Sequence, residues 1–390
     1  MKLMTKKLGE ICIIESGGTP ARSERTFWED GSIPWVKIRD INGKYLDKTE
    51  ENITQLGLNN SSAKIFKKGT ILYTIFATLG STCILNIDAT TNQAIAGISI
   101  KEENRNSIDV DFLYYFLSST KDMILRIGRG VAQNNINLRI LKNIEVPIPT
   151  IDVQRDIVRV LSSLEALIGY RRKQLELFDN LVKSRFIELF GDPINNEKGW
   201  EKKSLLQMGT LKNGMNFHSN DKGIQINCLG VGNFKNHSII SDTSLLPKIS
   251  LIQMPSDEYL LKNEDIVFVR SNGNKALVGR SLIVYPAEIP TTFSGFCIRY
   301  RLNINNMDVN YLLYVLKNDG VRQKLLGKGS NIQNLNQHIL GMLTIPVPPL
   351  ELQRYFARFI LQVDKSKLAI QKSLDELETL KKSLMQEYFG

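Results

Sequence analysis

Residues 108–117, with the sequence IDVDFLYYFL, recur at 307–316 as MDVNYLLYVL, 199 positions further along a chain of 390 residues. A constant offset over a long stretch indicates two copies of one structural unit. The same offset of 199 relates Gly128-Arg129-Gly130 to Gly327-Lys328-Gly329, Val146-Pro147-Ile148-Pro149 to Ile345-Pro346-Val347-Pro348, Gln154-Arg155 to Gln353-Arg354, and Phe190-Gly191 to Phe389-Gly390.

The amino-terminal parts of the two copies are much less similar. Residues 66–73, FKKGTILY, still resemble residues 261–268, LKNEDIVF, but the offset between them is 195. Insertions and deletions therefore lie between this stretch and residue 108. Each copy combines a variable amino-terminal part with a fixed carboxyl-terminal part.

The fixed part of each copy ends in a pattern typical of a long helix. Apolar residues follow one another in steps of three and four, which is the spacing of buried positions in a coiled coil. Pro149 precedes the first pattern and Gly191 follows it, whereas Pro349 and Gly390 bracket the second. We predict helices over residues 150–191 and 349–390. Their seams are Leu161, Leu164, Ile168, Leu175, Phe178 and Val182 in the first helix, and Ile360, Val363, Ile370, Leu374, Leu377 and Leu384 in the second.

Two matched seams in one chain favour an antiparallel pairing of the two helices. A helix of this length extends over about 58 Å and is not stable alone in water. Antiparallel pairing as a coiled coil would place the globular parts at opposite ends and relate the two copies by a pseudo-two-fold axis. The alternative is that each helix packs only on its own globular part.

The variable parts have the composition of an α+β fold. Residues 33–38, 70–75 and 266–270 are typical of strands, and the two copies of the segment quoted first predict helices that start at an Asp or Asn. The predicted organisation is a globular domain over residues 1–149, a spacer helix over 150–191, a second globular domain over 192–348 and a second spacer helix over 349–390.

The charge of the chain favours a polyanionic partner. Fifty Lys and Arg residues against forty Asp and Glu residues give a formal net charge of +10. Nucleic acid would be such a partner, and the alternative is a protein that is basic for another reason. The sequence has neither an apolar run long enough to cross a bilayer nor a signal-peptide pattern, so we expect a cytoplasmic protein. The widely spaced cysteines Cys12, Cys83, Cys228 and Cys297 indicate buried thiols, not a zinc site.

Several motifs, taken in order, resemble the specificity subunits of Type I restriction-modification systems. They are GGTP at residues 17–20, IPWV at 33–36 with Asp40 after it, TNQ at 91–93, and a doubled Pro-x-Pro followed by a long helix that carries Gln-Arg. The resemblance covers the full length, and the 199-residue duplication is part of it. The chain departs from the family where Val153-Gln154 and Leu352-Gln353 replace a frequent Glu-Gln pair.

The resemblance implies a non-catalytic subunit with two target recognition domains, each of which reads one half of a bipartite duplex DNA target. The helices would set the spacing of the half-sites and dock two modification subunits, which are adenine methyltransferases. Restriction subunits with motor and nuclease activity would join this complex. S-adenosylmethionine, ATP and magnesium are expected on the partner subunits, and no cofactor is expected on this chain.

The loops before the two Pro-x-Pro runs are the first candidates for DNA contact. Their glycines let the backbone approach phosphates, Arg and Lys neutralise phosphates, and Asn or Gln can pair with adenine. The alternative is a solvated loop that caps the nearby helix. The candidates are Arg126, Arg129, Gln133, Asn134 and Asn135 in the first copy, and Lys328, Asn331, Gln333 and Asn334 in the second.

Loops at strand ends supply the other candidates. The sequence RSNGNK at residues 270–275 closes a β-rich run in the second copy, and threonines lie near the matching point of the first. The alternative is that these polar residues merely face solvent. The candidates are Arg270, Asn272, Asn274, Lys275 and Arg280 in the second copy, and Thr19, Arg22, Lys37, Arg39, Thr78 and Thr82 in the first.

The sequence contains no recognisable catalytic constellation. His218, His237 and His338 lack metal-ligand spacing, and residues 320–328 lack the glycine spacing and the Ser or Thr of a P-loop. Asp192 and Glu201, with the two lysines that follow Glu201, weakly resemble the acidic cluster of a nuclease. They lie among turn residues and lysines, which is typical of solvated charges. Two alternatives come from other classes: a nuclease that reads and cuts DNA unaided, and a structural adaptor that joins proteins through its coiled coil.

Overall fold

The computed structural model describes residues 4–128, 136–217, 223–234, 238–326 and 334–390. The chain divides into two compact units. Unit 1 comprises Met1–Lys173 and Gln371–Gly390, and unit 2 comprises Gln174–Ile370. The division falls within each of the two long helices, and the four domain bounds given above stay a prediction.

Unit 1 contains the amino-terminal copy up to the middle of its long helix. Its described elements are β1 (Thr5–Lys7), α1 (Leu8–Ile11), β2 (Cys12–Ser16), β3 (Ile33–Val36), β4 (Tyr45–Leu46), β5 (Glu51–Ile53), α2 (Gln55–Asn59), β6 (Ile71–Thr74), β7 (Thr82–Leu85), β8 (Thr90–Thr91), β9 (Ile95–Ile100), α3 (Val110–Ser119), α4 (Lys121–Gly128), α5 (Leu138–Lys142), β10 (Glu145–Pro147) and the start of α6 (Ile151–Phe190).

Unit 2 begins with the second half of α6 and ends within the last helix of the chain. Its further described elements are β11 (Lys202–Ser204), α7 (Leu205–Met208), β12 (Gly209–Asn213), β13 (Ile224–Leu229), β14 (Ile239–Ile240), β15 (Lys248–Leu251), β16 (Asp265–Val269), β17 (Ser281–Val284), β18 (Thr291–Phe293), β19 (Cys297–Leu302), α8 (Val309–Lys317), α9 (Asp319–Leu326), α10 (Gln337–Gly341), β20 (Thr344–Pro346) and the start of α11 (Leu350–Phe389).

Across the described residues, the two units contain the same three sheets with the same strand order. The orders are β2-β9-β6-β7-β4, β5-β3-β8 and β1-β10 in unit 1, and β12-β19-β16-β17-β14, β15-β13-β18 and β11-β20 in unit 2. The parallel pairs also correspond, because β4-β7 and β3-β8 match β14-β17 and β13-β18. The shared topology confirms the internal repeat and the α+β fold.

The three predicted strands are present, with small differences at their ends. They are β3, β6 and β16. Strands β6 and β16 are buried along their whole length because each lies in the middle of a five-stranded sheet. Strand β3 ends earlier than expected, at Val36, because a short 3-10 helix over Ile38–Asp40 follows it. The Asp40 carboxylate stabilises this turn by accepting a hydrogen bond from the Lys37 N–H.

The repeated segment at residues 108–117 and 307–316 forms α3 and α8, as predicted. Asp109 caps α3 because its carboxylate accepts hydrogen bonds from the N–H groups of Asp111 and Phe112. Asp308 caps α8 in the same way. The two caps fix the start of equivalent helices in both units.

A buried glutamine joins the start of each long helix to the globular part. The Gln154 side chain donates to the carbonyls of Ser107 and Pro149 and accepts from the N–H of Asp109. Gln353 makes the three equivalent hydrogen bonds in unit 2. Both side chains are fully buried, so the repeated Gln-Arg pair marks a structural joint.

The two long helices run antiparallel within the units. Lys381 of α11 lies 2.6 Å from Glu165 of α6 in unit 1, and Lys367 lies 2.7 Å from Asp179 in unit 2, so numbers rise along one helix as they fall along the other. This pairing confirms the prediction over the alternative of helices that pack only on their own globular parts. The predicted seam is buried at Leu161, Leu164, Ile168, Val363 and Leu374, and half-buried at Leu175, Phe178, Val182, Ile360, Ile370, Leu377 and Leu384.

The end of each long helix contributes an aromatic side chain to the core of a unit. Phe389, the last residue of α11, lies edge-to-face with Phe112 in unit 1, with ring centroids 5.4 Å apart. The ring centroid of Phe190, the last residue of α6, lies 4.7 Å from that of Tyr311 and 5.4 Å from that of Phe356 in unit 2. The repeated Phe-Gly pair therefore closes two equivalent cores.

Candidate nucleic-acid interface

Three of the motifs that resemble the family, GGTP, IPWV and TNQ, meet at one edge of unit 1. Ser16 pairs with Ala96 and Thr74 pairs with Ile95, so β2 and β6 end where β9 begins. We call this place the loop edge of unit 1 and define it as residues 17–22, 37–40, 76–80 and 92–94. The loop edge of unit 2 consists of residues 214–217, 231–234, 270–274, 293–296 and 334.

Hydrogen bonds connect three motifs at the loop edge of unit 1. The N–H of Gly18 donates to the carbonyl of Thr91 at 2.9 Å, and the indole N–H of Trp35 donates to the carbonyl of Gly18 at 3.0 Å. The hydroxyl of Thr19 donates to Oε1 of Gln93 at 2.5 Å. The GGTP, IPWV and TNQ segments therefore form one local structure although they are far apart in the chain.

Gly17 and its counterpart Gly214 allow two segments to cross closely. A Cβ atom at Gly17 would lie 2.2 Å from the carbonyl oxygen of Thr91, and one at Gly214 would lie 2.1 Å from that of Ser294. A side chain at either position would displace the backbone. The crossing is thus common to both units, whereas the residues that follow it differ.

A backbone junction anchors the loop edge of unit 1. The N–H of Ile75, just after β6, donates to the carbonyl of Ala94 at 2.8 Å. The carbonyl of Ile75 accepts from the N–H of Ile136 at 3.0 Å. The described chain that follows the predicted contact loop is therefore held at this edge.

Unit 2 has the same junction with different side chains. The N–H of Arg270 donates to the carbonyl of Phe296 at 2.8 Å, and the carbonyl of Arg270 accepts from the N–H of Leu335 at 2.7 Å. Asn334 forms an antiparallel bridge with Ser271. The structure therefore brings together two of the predicted contact regions of unit 2, the strand-end loop and the loop before the second Pro-x-Pro.

Three predicted cationic residues of unit 1 lie together, but each is paired with a carboxylate. Lys37 lies 2.5 Å from Glu51 and 3.2 Å from Glu50, Arg39 lies 2.5 Å from Glu50, and Arg22 lies 2.6 Å from Glu51. Burial alone would lower the pKa of Lys37, but its bonds to Glu51 and Glu50 outweigh burial and raise it. The ion pairs hold the three cations in fixed positions. The three cations and the two glutamates together have a net charge of +1.

An aromatic pair supports this cluster. The Arg22 guanidinium lies 3.6 Å from the ring centroid of Trp28 and 4.6 Å from that of Trp35. The two indole rings lie edge-to-face, 4.9 Å apart. Arg22, Trp28, Glu50 and Glu51 line a concave site of about 360 Å³. Trp28 and the two glutamates were not among the residues that the sequence singled out.

The remaining described candidates of unit 1 have different surroundings. Thr78 is exposed on the loop edge, where its carbonyl accepts a hydrogen bond from the Thr74 hydroxyl. The Thr82 hydroxyl lies 2.7 Å from the hydroxyl of Ser118 on α3. Arg126 is exposed in the last turn of α4. A DNA contact by any of them stays a prediction.

In unit 2 the two predicted arginines are half-buried and bond to the backbone. The Arg270 guanidinium donates to the carbonyl of Gly295 at 3.3 Å, and that of Arg280 donates to the carbonyl of Phe234 at 3.5 Å. These bonds direct both side chains along the loop edge. A DNA contact by either arginine stays a prediction.

The predicted asparagines of the 270–275 run shape the loop. Oδ1 of Asn272 accepts from the N–H of Asn274 at 2.8 Å, and Oδ1 of Asn274 accepts from the N–H of Ala276 at 3.0 Å. Lys275 begins a short 3-10 helix over Lys275–Leu277. The candidates outside the described residues are Arg129, Gln133, Asn134, Asn135, Lys328, Asn331 and Gln333.

Each loop edge carries one exposed phenylalanine that sequence inspection missed. Phe76 of unit 1 is 40% exposed and Phe296 of unit 2 is 60% exposed. Phe296 lines a concave site of about 340 Å³ together with Ser271, Asn272 and Gly273. A lone apolar residue beside a strand is usually part of a core, so the sequence contained no signal that these rings face solvent.

The cysteines occupy the core positions that their spacing predicted. All four are free and buried. Burial raises the pKa of Cys12, Cys83 and Cys228 to about 12, and it raises the pKa of Cys297 further. These thiols are therefore protonated at neutral pH.

Metal-ligating side chains do not cluster in the part of the chain that the structure describes. No group of three or more His, Cys, Asp or Glu residues there could hold a metal ion. His338 is exposed on α10, and His218 and His237 lie outside the described residues. The helices of the described portion include none that is both long and apolar enough to span a membrane.

Comparison with protein families gives one match, repeated in both copies. The model of the Type I restriction modification DNA specificity domain matches residues 2–177 and 197–380. These two ranges cover most of the chain. They also separate the two copies that the offset of 199 residues defined.

Curated relatives carry matching names. The chain is 31% identical over 231 residues to the Type I restriction enzyme MjaIX specificity subunit of Methanocaldococcus jannaschii, covering 54% of this chain and 52% of that protein. It is 30% identical over 196 residues to the EcoR124I/EcoR124II specificity subunit of Escherichia coli, covering 46% and 48%. In both cases the alignment spans about half the length of the relative.

Solved structures share the fold. The S subunit of a Type I restriction-modification system from M. genitalium has a TM-score of 0.56 at 16% identity, covering 100% of this chain and 96% of that one. A chain from a structural study of complex assembly and conformational transition of the type I R-M system has a TM-score of 0.60 at 18% identity, covering 100% and 99%.

Proposed function

The chain belongs to the family of Type I restriction modification DNA specificity domains, and from this we propose that it is the non-catalytic specificity subunit of such a system. Unit 1 and unit 2 each read one half of a bipartite duplex DNA target through their loop edges. The adenine methyltransferase and the nuclease that act on this target are separate subunits.

One observation carries this proposal: the same backbone scaffold occurs twice, with different side chains at its loop edge. Unit 1 presents Arg22 and Lys37 there, with the ring of Trp28 packed against Arg22, whereas unit 2 presents Asn272 and Phe296. Contacts to the phosphates position a protein on DNA, and side-chain contacts to base edges discriminate between bases. A shared scaffold with diverged side chains is what two different half-sites require.

Several further features of the proposal concern partners. The net charge of +10 favours duplex DNA, because neutralising phosphates supplies much of the binding free energy. Two modification subunits and the restriction subunits would dock on this chain and bind S-adenosylmethionine, ATP and magnesium. The complex would act in the cytoplasm, where host DNA lies.

Mapping methylated adenines in host DNA tests the proposal. We expect deletion of this gene to remove methylation from one bipartite motif, with two defined half-sites and a fixed spacer, and the restored gene to recover it. If deletion removes no bipartite motif, the proposal is wrong.

Two assays with purified protein separate the alternatives. Cleavage of duplex DNA by this chain alone with magnesium would support an unaided nuclease. Binding to random duplex that weakens steeply with salt would exclude an adaptor that does not touch DNA, because each neutralised phosphate adds to the salt dependence.

A further inference from the structure

Both units place one exposed phenylalanine at the same backbone junction, but from different segments. Phe76 directly follows the junction residue Ile75, whereas Phe296 supplies the carbonyl that accepts the N–H of the junction residue Arg270. One exposed apolar side chain means little by itself. Two exposed phenylalanines at equivalent edges, supplied by different segments of the chain, indicate that the ring contacts the ligand that binds at this edge.

The backbone around Phe296 holds its ring in place. Its N–H donates to Oγ of Ser294 at 3.3 Å, and its carbonyl accepts from the N–H of Arg270 at 2.8 Å. The preceding Gly295 donates to the carbonyl of Met215 at 2.8 Å. An exposed ring on a backbone bonded on both sides is pre-organised, so binding costs little ordering of this segment.

Two amide side chains belong to the same part of the loop edge as this ring. Asn272 and Phe296 line the same concave site of about 340 Å³, and Asn334 is exposed beside Ser271 through the antiparallel bridge. The loop edge of unit 2 thus combines hydrogen-bonding amides with one apolar surface.

This combination matches the major-groove edge of an A·T base pair. Adenine presents N7 and the N6 amino group, which pair with Asn, and thymine presents a methyl group, which contacts apolar side chains including Phe. A G·C pair has no methyl group in this groove. We infer that Phe296 is a specificity-determining residue that contacts a thymine methyl group in the half-site read by unit 2, an inference that rests on the proposed function.

The test uses the whole complex with its modification subunits and compares wild type with Phe296→Ala and Phe296→Leu. Methylation mapping of Phe296→Ala should show a relaxed preference at one A·T position of one half-site, with the other half-site unchanged. Replacing that thymine by uracil, which lacks only the methyl group, should weaken binding by wild type about fourfold. Phe296→Ala should bind the two duplexes equally, and Phe296→Leu should still discriminate.

Controls separate this inference from folding and from the proposed function. Ile252→Ala removes another exposed apolar side chain, which is 79% exposed. Ile252 directly follows β15, whose last residue pairs with the first residue of β13, whereas the loop edge begins after the last residue of β13. This control variant should leave the motif unchanged. An unchanged motif with Phe296→Ala, relaxation at a G·C position, or an equal effect of uracil on wild type and Phe296→Ala would overturn the inference. A wild type without any bipartite motif would instead overturn the proposed function.

Discussion

A single glutamine holds the start of each long helix against the globular part of its unit. Gln154 bonds to three backbone groups with its one side-chain amide, and Gln353 repeats the arrangement. Buried backbone groups need such partners, because leaving one unpaired costs free energy. The joint fixes where the helix leaves the sheets that carry the loop edge.

Gln154→Leu should lower the free energy of unfolding by about 3 kcal/mol, because it leaves two carbonyls and one N–H unpaired in the interior. Urea denaturation measures this change. Arg155→Ala, at the next and exposed position, should change it by less than about 0.5 kcal/mol. Similar small effects for both variants would contradict the role of the joint.

Glu51 should make stability depend on pH. Burial alone would raise the pKa of Glu51, but hydrogen bonds from Lys37 and Arg22 outweigh burial and hold it below its ordinary value. Such a carboxylate stabilises the fold above its unfolded pKa, and this contribution is lost as pH falls through the folded pKa.

The comparison of wild type with Glu51→Gln measures that contribution. The difference in their free energy of unfolding should be largest near pH 7 and shrink below about pH 4, where carboxylates become protonated. A difference that does not change between these pH values would show that Glu51 acts only through its shape.

Part of the candidate interface was predictable from single residues. Thr19 and Lys37 were identified by sequence and lie on the loop edge. Glu51 was not, because it meets Lys37 only through the pairing of β5 with β3, where Glu51 lies opposite Trp35. Phe296 escaped because exposure of an apolar side chain depends on packing, which has no local pattern.

At the scale of elements, each long helix serves two units. The start of α11 lies in unit 2 and its last residues pack into unit 1, whereas α6 begins in unit 1 and ends in unit 2. The cores of the two units therefore depend on different helix ends.

Phe389→Ala and Phe190→Ala form a matched pair of variants. Phe190→Ala should destabilise unit 2 by about 3–5 kcal/mol, because Phe190 is fully buried, and Phe389→Ala should destabilise unit 1 by less, because Phe389 is half-buried. Hydrogen exchange should show faster opening of β16 in Phe190→Ala and of β6 in Phe389→Ala. Equal effects on both strands would contradict this assignment.

Helix bounds were predictable because their signals are local. The predicted spans of 150–191 and 349–390 differ by one residue at each end from Ile151–Phe190 and Leu350–Phe389. The order of the strands was not predictable, since β2 pairs with β9 through residues such as Cys12 and Ile100 that are remote in sequence. The alternation of apolar residues predicts which face of a strand is buried, but it does not predict which strand lies beside it.

At the scale of the whole molecule, the proposed function makes the helix pair a spacer. Inserting one heptad into both helices, after Lys173 and after Ile370, would add about 10.5 Å to each. If the helices set the distance between half-sites, the spacer of the methylated motif should grow by about three base pairs. An insertion into one helix only should disrupt the pairing and abolish methylation, and an unchanged spacer with both insertions would exclude this role.

In the proposed function, two diverged loop edges on one repeated scaffold each read one half-site. The most direct measurement replaces residues 202–346 with a second copy of residues 5–147, which joins equivalent positions because strands β1 and β10 correspond to β11 and β20. This exchange replaces every segment of the loop edge of unit 2. Methylation mapping of the complex should then show the unit 1 half-site twice, as an inverted repeat. A motif that keeps the original second half-site would contradict the claim.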